Sequence, residues 1–220
     1  MPLFVLEKEL SFPPVHFAEP DGLLAIGGDL SEERLLLAYR NGIFPWYEAE
    51  HILWWCPDPR FVLFPEKLKV SKSMKQVLKK NEFSFTINKD FEQVINNCKT
   101  TARKGQEGTW ITDEVKKAYT LMYKKGYAHS AEVWKEDKLV GGLYGIKLGK
   151  VFFGESMFSN ETNASKYAFI NYVQKLQAQG VELIDCQVYT EHLESLGANM
   201  IERKEFIVLL NNLTASPSPL

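Results

Sequence analysis

Two short apolar runs carry polar side chains that could take part in chemistry: GESMFS at residues 154–159 and LIDCQ at residues 183–187. The alternation of an extended strand places Glu155 on one face with Val151, Phe153 and Met157. A carboxylate in apolar surroundings is costly unless it has a partner. A suitable partner is a cation attached to an apolar group, such as the ammonium group of a hydrophobic amino acid.

The second run places two further polar groups together. The period of a strand puts Asp185 and Gln187 on a shared face, with Leu183 and Tyr189 on the same side. A carboxylate at this position could serve a reactive site or pair with a loop amide or an arginine. Because Asp185 lies inside an apolar strand, the sequence favours a role in the site.

The composition restricts the class of protein. The chain has 220 residues, 45% of them hydrophobic and 25% charged, which is typical of a soluble globular protein. A net charge of −2 means that any contact with nucleic acid requires a local basic patch. The three cysteines are widely spaced and the four histidines scattered, so we expect neither disulfides nor a metal site. We see no signal peptide or membrane span, and expect a cytoplasmic protein.

One stretch of the chain is locally basic. Residues 67–80 contain six lysines and no acid. Within the helix predicted for residues 71–80, Lys72, Lys75 and Lys79 share a stripe opposite Met74 and Leu78. Such a stripe is either a solvated helix face or a surface that binds phosphates. Because so many lysines lie together in a chain of net negative charge, the two interpretations are about equally well supported.

The elements that must position these groups fall into two predicted domains. Residues 1–60 form a small first domain, which contains a helix capped by Ser31 and ends near a Pro-Asp-Pro boundary at residues 57–59. Residues 61–211 form the second domain, and the Ser/Pro-rich residues 212–220 are expected to be a disordered tail.

The second domain is predicted to contain both helices and strands. Helices span residues 71–80 and 163–179, and two more begin at Asp90 and at Thr112. Strands span residues 83–87, 130–134, 139–147, 150–158 and 181–189, and short connections join the three middle strands in an antiparallel meander. A meander followed by a helix and a strand is the order of an acetyltransferase-like (GNAT) core. The predicted fold class is therefore α+β, a small N-terminal α/β domain followed by a GNAT-like domain with a mixed sheet.

The chain resembles the leucyl/phenylalanyl-tRNA–protein transferase family over residues 12–210. Several motifs carry this resemblance together and in order. They are GLLAIGGDL (22–30), GIFPW (42–46), LWWCPDPR (53–60), GTWI (108–111), HSAEVW (129–134), GESMFS (154–159), LIDCQ (183–187) and SLGA (195–198).

This resemblance implies an activity and its partners. The family transfers leucine or phenylalanine, and we include methionine, from aminoacyl-tRNA to the N-terminal α-amine of proteins that begin with Arg or Lys. The transfer creates an N-degron that marks the protein for degradation. The partners are Leu-tRNA, Phe-tRNA and these proteins, and no membrane or metal is involved. Because the aminoacyl ester is already activated, no cofactor is expected, and the chain is expected to be a monomer.

The resemblance also implies roles for particular residues. Glu155 would bind the ammonium of the amino acid, in a pocket formed with Phe152, Met157, Phe169, Tyr172, Leu176 and Ile184. Strict alternation puts Phe152 on the wrong face, and a bulge near Gly154 would correct this. The predicted catalytic residues are Glu155, Asp185 and Gln187. Asp185 would orient the attacking amine and help remove its proton, while Gln187 would hydrogen-bond the reacting centre.

The tRNA is expected to contact two further groups of residues. Trp46 and Trp110, with Tyr39 nearby, would bind the 3′-terminal adenosine by stacking, which contributes about 1–3 kcal/mol per base. Phosphates of the tRNA body would contact Lys72, Lys75, Lys79 and Lys80.

Three alternatives remain at this point. An acyl-CoA N-acetyltransferase shares the fold, but residues 160–165 lack the glycine-rich turn that cradles a pyrophosphate and carry an acid. A cell-wall-type aminoacyl-tRNA-dependent transferase shares the pocket but uses another acceptor. A non-catalytic tRNA-binding module would keep the lysines and tryptophans, with no reason to place Asp185 beside Gln187.

Overall fold

The computed structural model describes residues 3–47, 50–80, 82–101 and 109–215. The first part of the chain forms a four-stranded sheet in the order β1-β2-β4-β3. Its strands are β1 (Phe4–Leu6), β2 (Leu23–Gly27), β3 (Phe44–Pro45) and β4 (Leu53–Trp55). The sequence prediction of an α/β domain gave no bounds for these strands, because each has only two to five residues.

A seven-stranded mixed sheet follows, in the order β11-β5-β10-β9-β8-β7-β6. Strands β9 and β10 are parallel, and every other neighbouring pair is antiparallel. The strands are β5 (Arg60–Leu63), β6 (Ser84–Ile87), β7 (Ala128–Lys135), β8 (Lys138–Leu148), β9 (Val151–Ser159), β10 (Leu183–Gln187) and β11 (Asn199–Ile201).

Seven α-helices lie in the described ranges, and several begin where the sequence predicts. The side chains of Ser31, Ser71, Asp90 and Thr112 each accept a hydrogen bond from the backbone three residues on, which confirms them as N-caps. The helices are α1 (Glu32–Arg40), α2 (Lys72–Lys79), α3 (Phe91–Thr100), α4 (Asp113–Lys124), α5 (Ala164–Ala178), α6 (Glu191–Glu194) and α7 (Arg203–Thr214).

The predicted order of the second domain is confirmed. Strands β7, β8 and β9 form the antiparallel meander, α5 follows, and β10 returns parallel to β9. The α+β class with a GNAT-like core is therefore observed. The end of the chain differs from the prediction, because α7 continues to Thr214 and residues 212–214 are helical. Residues 216–220 of the predicted tail lie outside the described residues.

Apolar side chains pack on both faces of the large sheet. One cluster joins the first domain to α3, α4 and α7, and includes Tyr39, Tyr119, Phe153 and Phe206. The other lies against α5 and includes Phe152. The cavity described below lies on the side of α5, and Tyr39 and Tyr119 belong to the opposite cluster.

A bulge in β9 changes which side chains share a face. Opposite β8, Ser156 pairs with Tyr144 and Gly154 pairs with Gly145, so Glu155 is the extra residue. The bulge predicted near Gly154 is thus confirmed, and it places Phe152 and Met157 against the same cluster. The prediction that Val151 and Phe153 share the face of Met157 is wrong, because both pack in the opposite cluster.

Strands β9 and β10 separate soon after they pair. In β10, only residues 183–185 pair with β9, where their partners are residues 151–153. The pairing of β10 with β5 shifts between Asp185 and Gln187, and Gln187 has a φ of 64°. Beyond this point the two strands leave a gap between them, and the gap opens the cavity described next.

Candidate active site

A cavity of about 470 Å³ lies between the separated ends of β9 and β10. Glu155 lies at its wall, and most of the predicted apolar residues line it: Phe152, Met157, Phe169 and Ile184. Two predicted wall residues do not. Tyr172 packs edge-on against Phe152, with ring centroids 5.1 Å apart, and Leu176 is buried in the core. The wall is therefore more apolar than predicted, because the Tyr172 hydroxyl is not part of it.

Glu155 is held by three hydrogen-bond donors. Its Oε1 accepts from the Tyr39 hydroxyl at 2.7 Å and from Gln187 Nε2 at 3.2 Å, and its Oε2 accepts from the Tyr119 hydroxyl at 2.9 Å. Burial raises the pKa of Glu155 to about 7, although these donors favour the ionised form, and the charge of Asp185 adds to the rise. Because the donors are all neutral, the carboxylate can receive a cation from the cavity.

The two tyrosines come from separate helices, Tyr39 from α1 and Tyr119 from α4. Both are fully buried, so the prediction that Tyr39 contacts adenosine is wrong. Its hydroxyl is directed instead at Glu155. The role of Tyr119 was missed, although its position on the core face of a predicted helix was a signal, since a buried tyrosine hydroxyl usually finds a partner.

Asp185 forms a buried ion pair with Arg60, the first residue of β5. Arg60 Nε and Nη2 donate to the two Asp185 oxygens at 2.8 and 2.6 Å, and both residues are essentially unexposed. The guanidinium lies between the rings of Phe44 and Phe206, 4.7 and 4.6 Å from their centroids. Asp185 also lines the cavity, so its predicted role towards the attacking amine stays a prediction beside this ion pair. The alternative of an arginine partner is the one observed.

Gln187 reaches the site in an unexpected way. Its backbone N–H donates to Asp185 Oδ1 at 2.9 Å, which holds the left-handed turn, and its side chain reaches Glu155. The register shift between Asp185 and Gln187 in β10 breaks the strict alternation from which a shared face for Asp185, Gln187 and Tyr189 was predicted. Tyr189 accordingly lies against Phe61 with 47% of its surface exposed, away from Glu155.

The two tryptophans predicted to bind adenosine differ in exposure. Trp46 is 37% exposed and lies at a tilt to Trp55, so part of its side chain is accessible. Trp110 is 4% exposed and packs edge-on against Tyr119. Its burial contradicts a stacking role, and Gly108 of the same motif lies outside the described residues.

The predicted phosphate contacts lie on one helix. Lys72, Lys75 and Lys79 are exposed on α2, while Met74 is buried beneath them. Lys80 is also exposed and lies 3.6 Å from the Glu82 carboxylate. The structure thus provides a basic helix face, as expected from the spacing.

The start of α6 contributes groups that the sequence analysis missed. Thr190 and His192 both line the cavity. Burial, with a contribution from Lys166, lowers the pKa of His192, so its imidazole is neutral at pH 7. Among the residues that the structure describes, no group of three potential ligands could hold a metal ion, and no helix is long and apolar enough to cross a bilayer.

Comparison with known proteins gives consistent matches over the whole chain. Residues 62–211 match the family described as leucyl/phenylalanyl-tRNA protein transferase, and residues 28–58 match the N-terminal domain of the same family. A leucyl/phenylalanyl-tRNA–protein transferase of Syntrophus aciditrophicus is 54% identical over 219 residues, covering 99% of this chain and 92% of the relative. A second, from Christiangramia forsetii, is 56% identical, covering 94% of this chain and all of the relative.

Solved structures match at a greater distance. L-PGS from Bacillus licheniformis aligns with a TM-score of 0.42 and 12% identity, covering 78% of this chain and 57% of that chain. A GCN5-related N-acetyltransferase-like protein from Streptococcus suis aligns with a TM-score of 0.38 and 11% identity, covering 65% and 59%. The identities of 54% and 56% over nearly complete lengths, with the matched family, show that this chain belongs to the leucyl/phenylalanyl-tRNA–protein transferases.

Proposed function

We propose that this aminoacyltransferase moves leucine, phenylalanine or methionine from aminoacyl-tRNA to the N-terminal α-amine of proteins that begin with Arg or Lys. The observation that carries the proposal is the carboxylate of Glu155, which has only neutral hydrogen-bond donors among the described residues, at the wall of a largely apolar cavity. A hydrophobic amino acid has the matching chemistry, an apolar side chain beside an ammonium group. Phe152, Met157, Phe169 and Ile184 receive the side chain, and Glu155 receives the ammonium.

The chemical step needs little besides positioning. The neutral amine of the acceptor attacks the ester carbonyl, a C–N bond forms, and the bond to the ribose oxygen breaks. A proton from the attacking nitrogen ends on the released ribose hydroxyl. A free α-amine has a pKa of about 7.7–8.0, so roughly a tenth of it is already neutral at pH 7. Orientation can therefore supply much of the rate acceleration.

Gln187 is the group best placed to orient the reacting centre. Its Nε2 carries two hydrogens, one of which is donated to Glu155. The second is available to the ester carbonyl, where negative charge develops during attack. Asp185 and Arg60 act as positioning residues, because they hold the backbone of Gln187 in its left-handed turn.

Two surface features support binding of the tRNA. The exposed part of Trp46 suits the terminal adenosine, and the lysines of α2 suit backbone phosphates. The proposal includes the N-degron role, because the acceptor is a protein N-terminus. It also includes the cytoplasmic location and the monomeric state that the sequence analysis expects.

Incubation with Leu-tRNA or Phe-tRNA and a peptide that begins with Arg tests the activity. Mass spectrometry should detect a peptide extended by one residue. An N-acetylated copy of the peptide should remain unchanged, because its amine is blocked. Glu155→Gln should reduce the transfer rate at least tenfold, the effect of losing about 1.4 kcal/mol of binding to the ammonium. Wild-type transfer to the acetylated peptide, or no transfer to the free one, would contradict the proposal.

A further inference from the structure

Three side chains at the site form a closed triangle of short contacts, which join four oxygens. The Tyr39 hydroxyl lies 2.7 Å from Glu155 Oε1, the Tyr119 hydroxyl lies 2.9 Å from Glu155 Oε2, and the two hydroxyl oxygens lie 2.5 Å apart. The groups come from α1, α4 and β9, and both tyrosines are unexposed. No solvent donor therefore reaches the contact between the tyrosines.

The number of hydrogens decides the protonation state of this triangle. Each contact needs one hydrogen, and the two hydroxyls supply only two. If Glu155 is ionised, the two hydrogens can fill only two of the three contacts, and in the third two oxygen lone pairs face each other at 2.9 Å or less. If Glu155 carries a proton, each group donates once and accepts once, and all three contacts are hydrogen bonds. The geometry thus matches a protonated Glu155.

The surrounding groups agree with this assignment. Burial raises the pKa of Tyr39 and of Tyr119 well above its usual value, so each keeps its hydrogen. Gln187 donates to Glu155 from β10 but is neutral. The charges closest to the site, Asp185 and Arg60, are paired with each other. No unpaired cation among the described neighbours of Glu155 therefore stabilises its anion.

We infer that the empty site stores a proton on Glu155 within this ring, and that the incoming ammonium of the aminoacyl group displaces it. The Glu155 O–H bond breaks, the proton passes to solvent, and the ammonium donates its hydrogens to the carboxylate. Tyr39 and Tyr119 are positioning residues that act through Glu155. This inference rests on the proposed function, in which Glu155 binds the ammonium.

Infrared difference spectra of the full chain test the stored proton directly. Spectra about 1.5 pH units below and above the Glu155 pKa of about 7 should differ by a carboxylic acid band. Glu155→Gln should lack this band. Saturation with leucine methyl ester below the midpoint should abolish the band and release about one proton, measured with an indicator dye in weak buffer. A missing band, a band that persists with bound ester, or no ester binding at any pH would overturn the inference.

The Glu155 titration midpoint in a tyrosine variant shows whether Tyr39, Tyr119 and Glu155 form a hydrogen-bonded ring or whether the two tyrosines donate to Glu155 independently. Loss of an independent donor to a carboxylate raises its pKa. Loss of a ring member instead removes two hydrogen bonds from the protonated state but one from the ionised state, so Tyr119→Phe should lower the Glu155 midpoint by about half a unit to one unit. Tyr123→Phe is the matched control on α4, because its hydroxyl donates to Asn88 at 3.0 Å. A raised or unchanged midpoint in folded Tyr119→Phe would contradict the ring.

The outcomes also distinguish this inference from the proposed function. Ester binding without loss of the acid band overturns the stored proton and leaves aminoacyl transfer untouched. An acid band with the expected midpoint, in a protein that extends no peptide, contradicts the function instead. If Tyr119→Phe does not fold, the proton count of the wild-type protein with leucine methyl ester still decides between them.

Discussion

Glu155 and Asp185 are two carboxylates of one site that meet opposite surroundings. Glu155 receives hydrogen bonds from neutral groups, and its raised pKa of about 7 reflects burial without a nearby unpaired cation. Asp185 is enclosed with the Arg60 guanidinium at 2.6 Å. The first can therefore exchange a proton or bind a cation, while the second is a fixed charge that positions its neighbours.

The buried pair makes a prediction about stability. Asp185→Asn leaves the Arg60 guanidinium unpaired between two phenylalanine rings, and should lower the free energy of unfolding by about 3–5 kcal/mol. Urea denaturation measures this change. Glu182→Gln is the control, since it breaks the exposed pair with Lys150 at 2.6 Å and should change stability by less than about 1 kcal/mol. Equal changes in the free energy of unfolding for the two variants would show that the buried pair stabilises the fold no more than the exposed pair does.

At the scale of elements, the site depends on irregularities in two strands. The bulge at Glu155 in β9 and the left-handed turn at Gln187 in β10 bring two side chains together that regular strands would separate. Gly145 of β8 permits the bulge, because a Cβ there would lie 2.1 Å from the Phe153 carbonyl oxygen. The bulge and the separation of β9 from β10 together form the cavity.

Gly145→Ala should therefore lower the stability of the fold more than the same change at Gly154, its pairing partner on β9. The added methyl group forces the β8–β9 ladder apart, and we expect a loss of about 1–3 kcal/mol in unfolding free energy, with reduced peptide extension. Gly154→Ala is the control, because its Cβ would meet only the Asp185 carbonyl oxygen at 3.6 Å. Thermal denaturation of both variants compares them, and a stable Gly145→Ala would contradict the steric argument.

At the scale of the whole molecule, the site joins the two sheets. Tyr39 comes from α1, in the part of the chain that forms the four-stranded sheet, whereas Tyr119, Glu155 and Gln187 come from the part that forms most of the seven-stranded sheet. The core cluster that holds Tyr39 and Tyr119 includes residues of both parts. Separation of the two sheets would open the triangle at Glu155, so we expect them to unfold together.

The basic face of α2 gives a prediction about the whole surface. Lys75→Glu with Lys79→Glu should weaken tRNA binding and flatten its salt dependence, reducing the slope of log affinity against log salt by roughly 1.5 for two lost phosphate contacts. Filter binding over a range of salt concentrations measures the slope. Lys204→Glu, at an exposed position of α7, is the control for a general charge effect. An unchanged slope in the double variant would argue that α2 is only a solvated face.

Several features followed from local sequence because their causes act over a few residues. Caps at Asp90 and Thr112, the meander and the α5 helix depend on side chains three or four positions apart, or on strand connections of two to four residues. The bulge near Gly154 was predicted on another ground, because the pocket that the resemblance implies needed Phe152 on the face of Glu155. Strict alternation failed at Gln187, where a local hydrogen bond to Asp185, itself held by the distant Arg60, stabilises a turn that no strand pattern encodes.

The chain's local patterns identified Glu155 as a carboxylate that required a partner, but they did not identify the partners. Tyr39 is 116 residues away from it along the chain, and Arg60 is 125 residues from Asp185. Periodicity predicts which side chains are buried, whereas the choice of neighbour for a buried polar group depends on which helices and strands pack together. Tertiary packing therefore assigned Asp185 to Arg60, withdrew Tyr39 from adenosine, and left Glu155 open to the cavity.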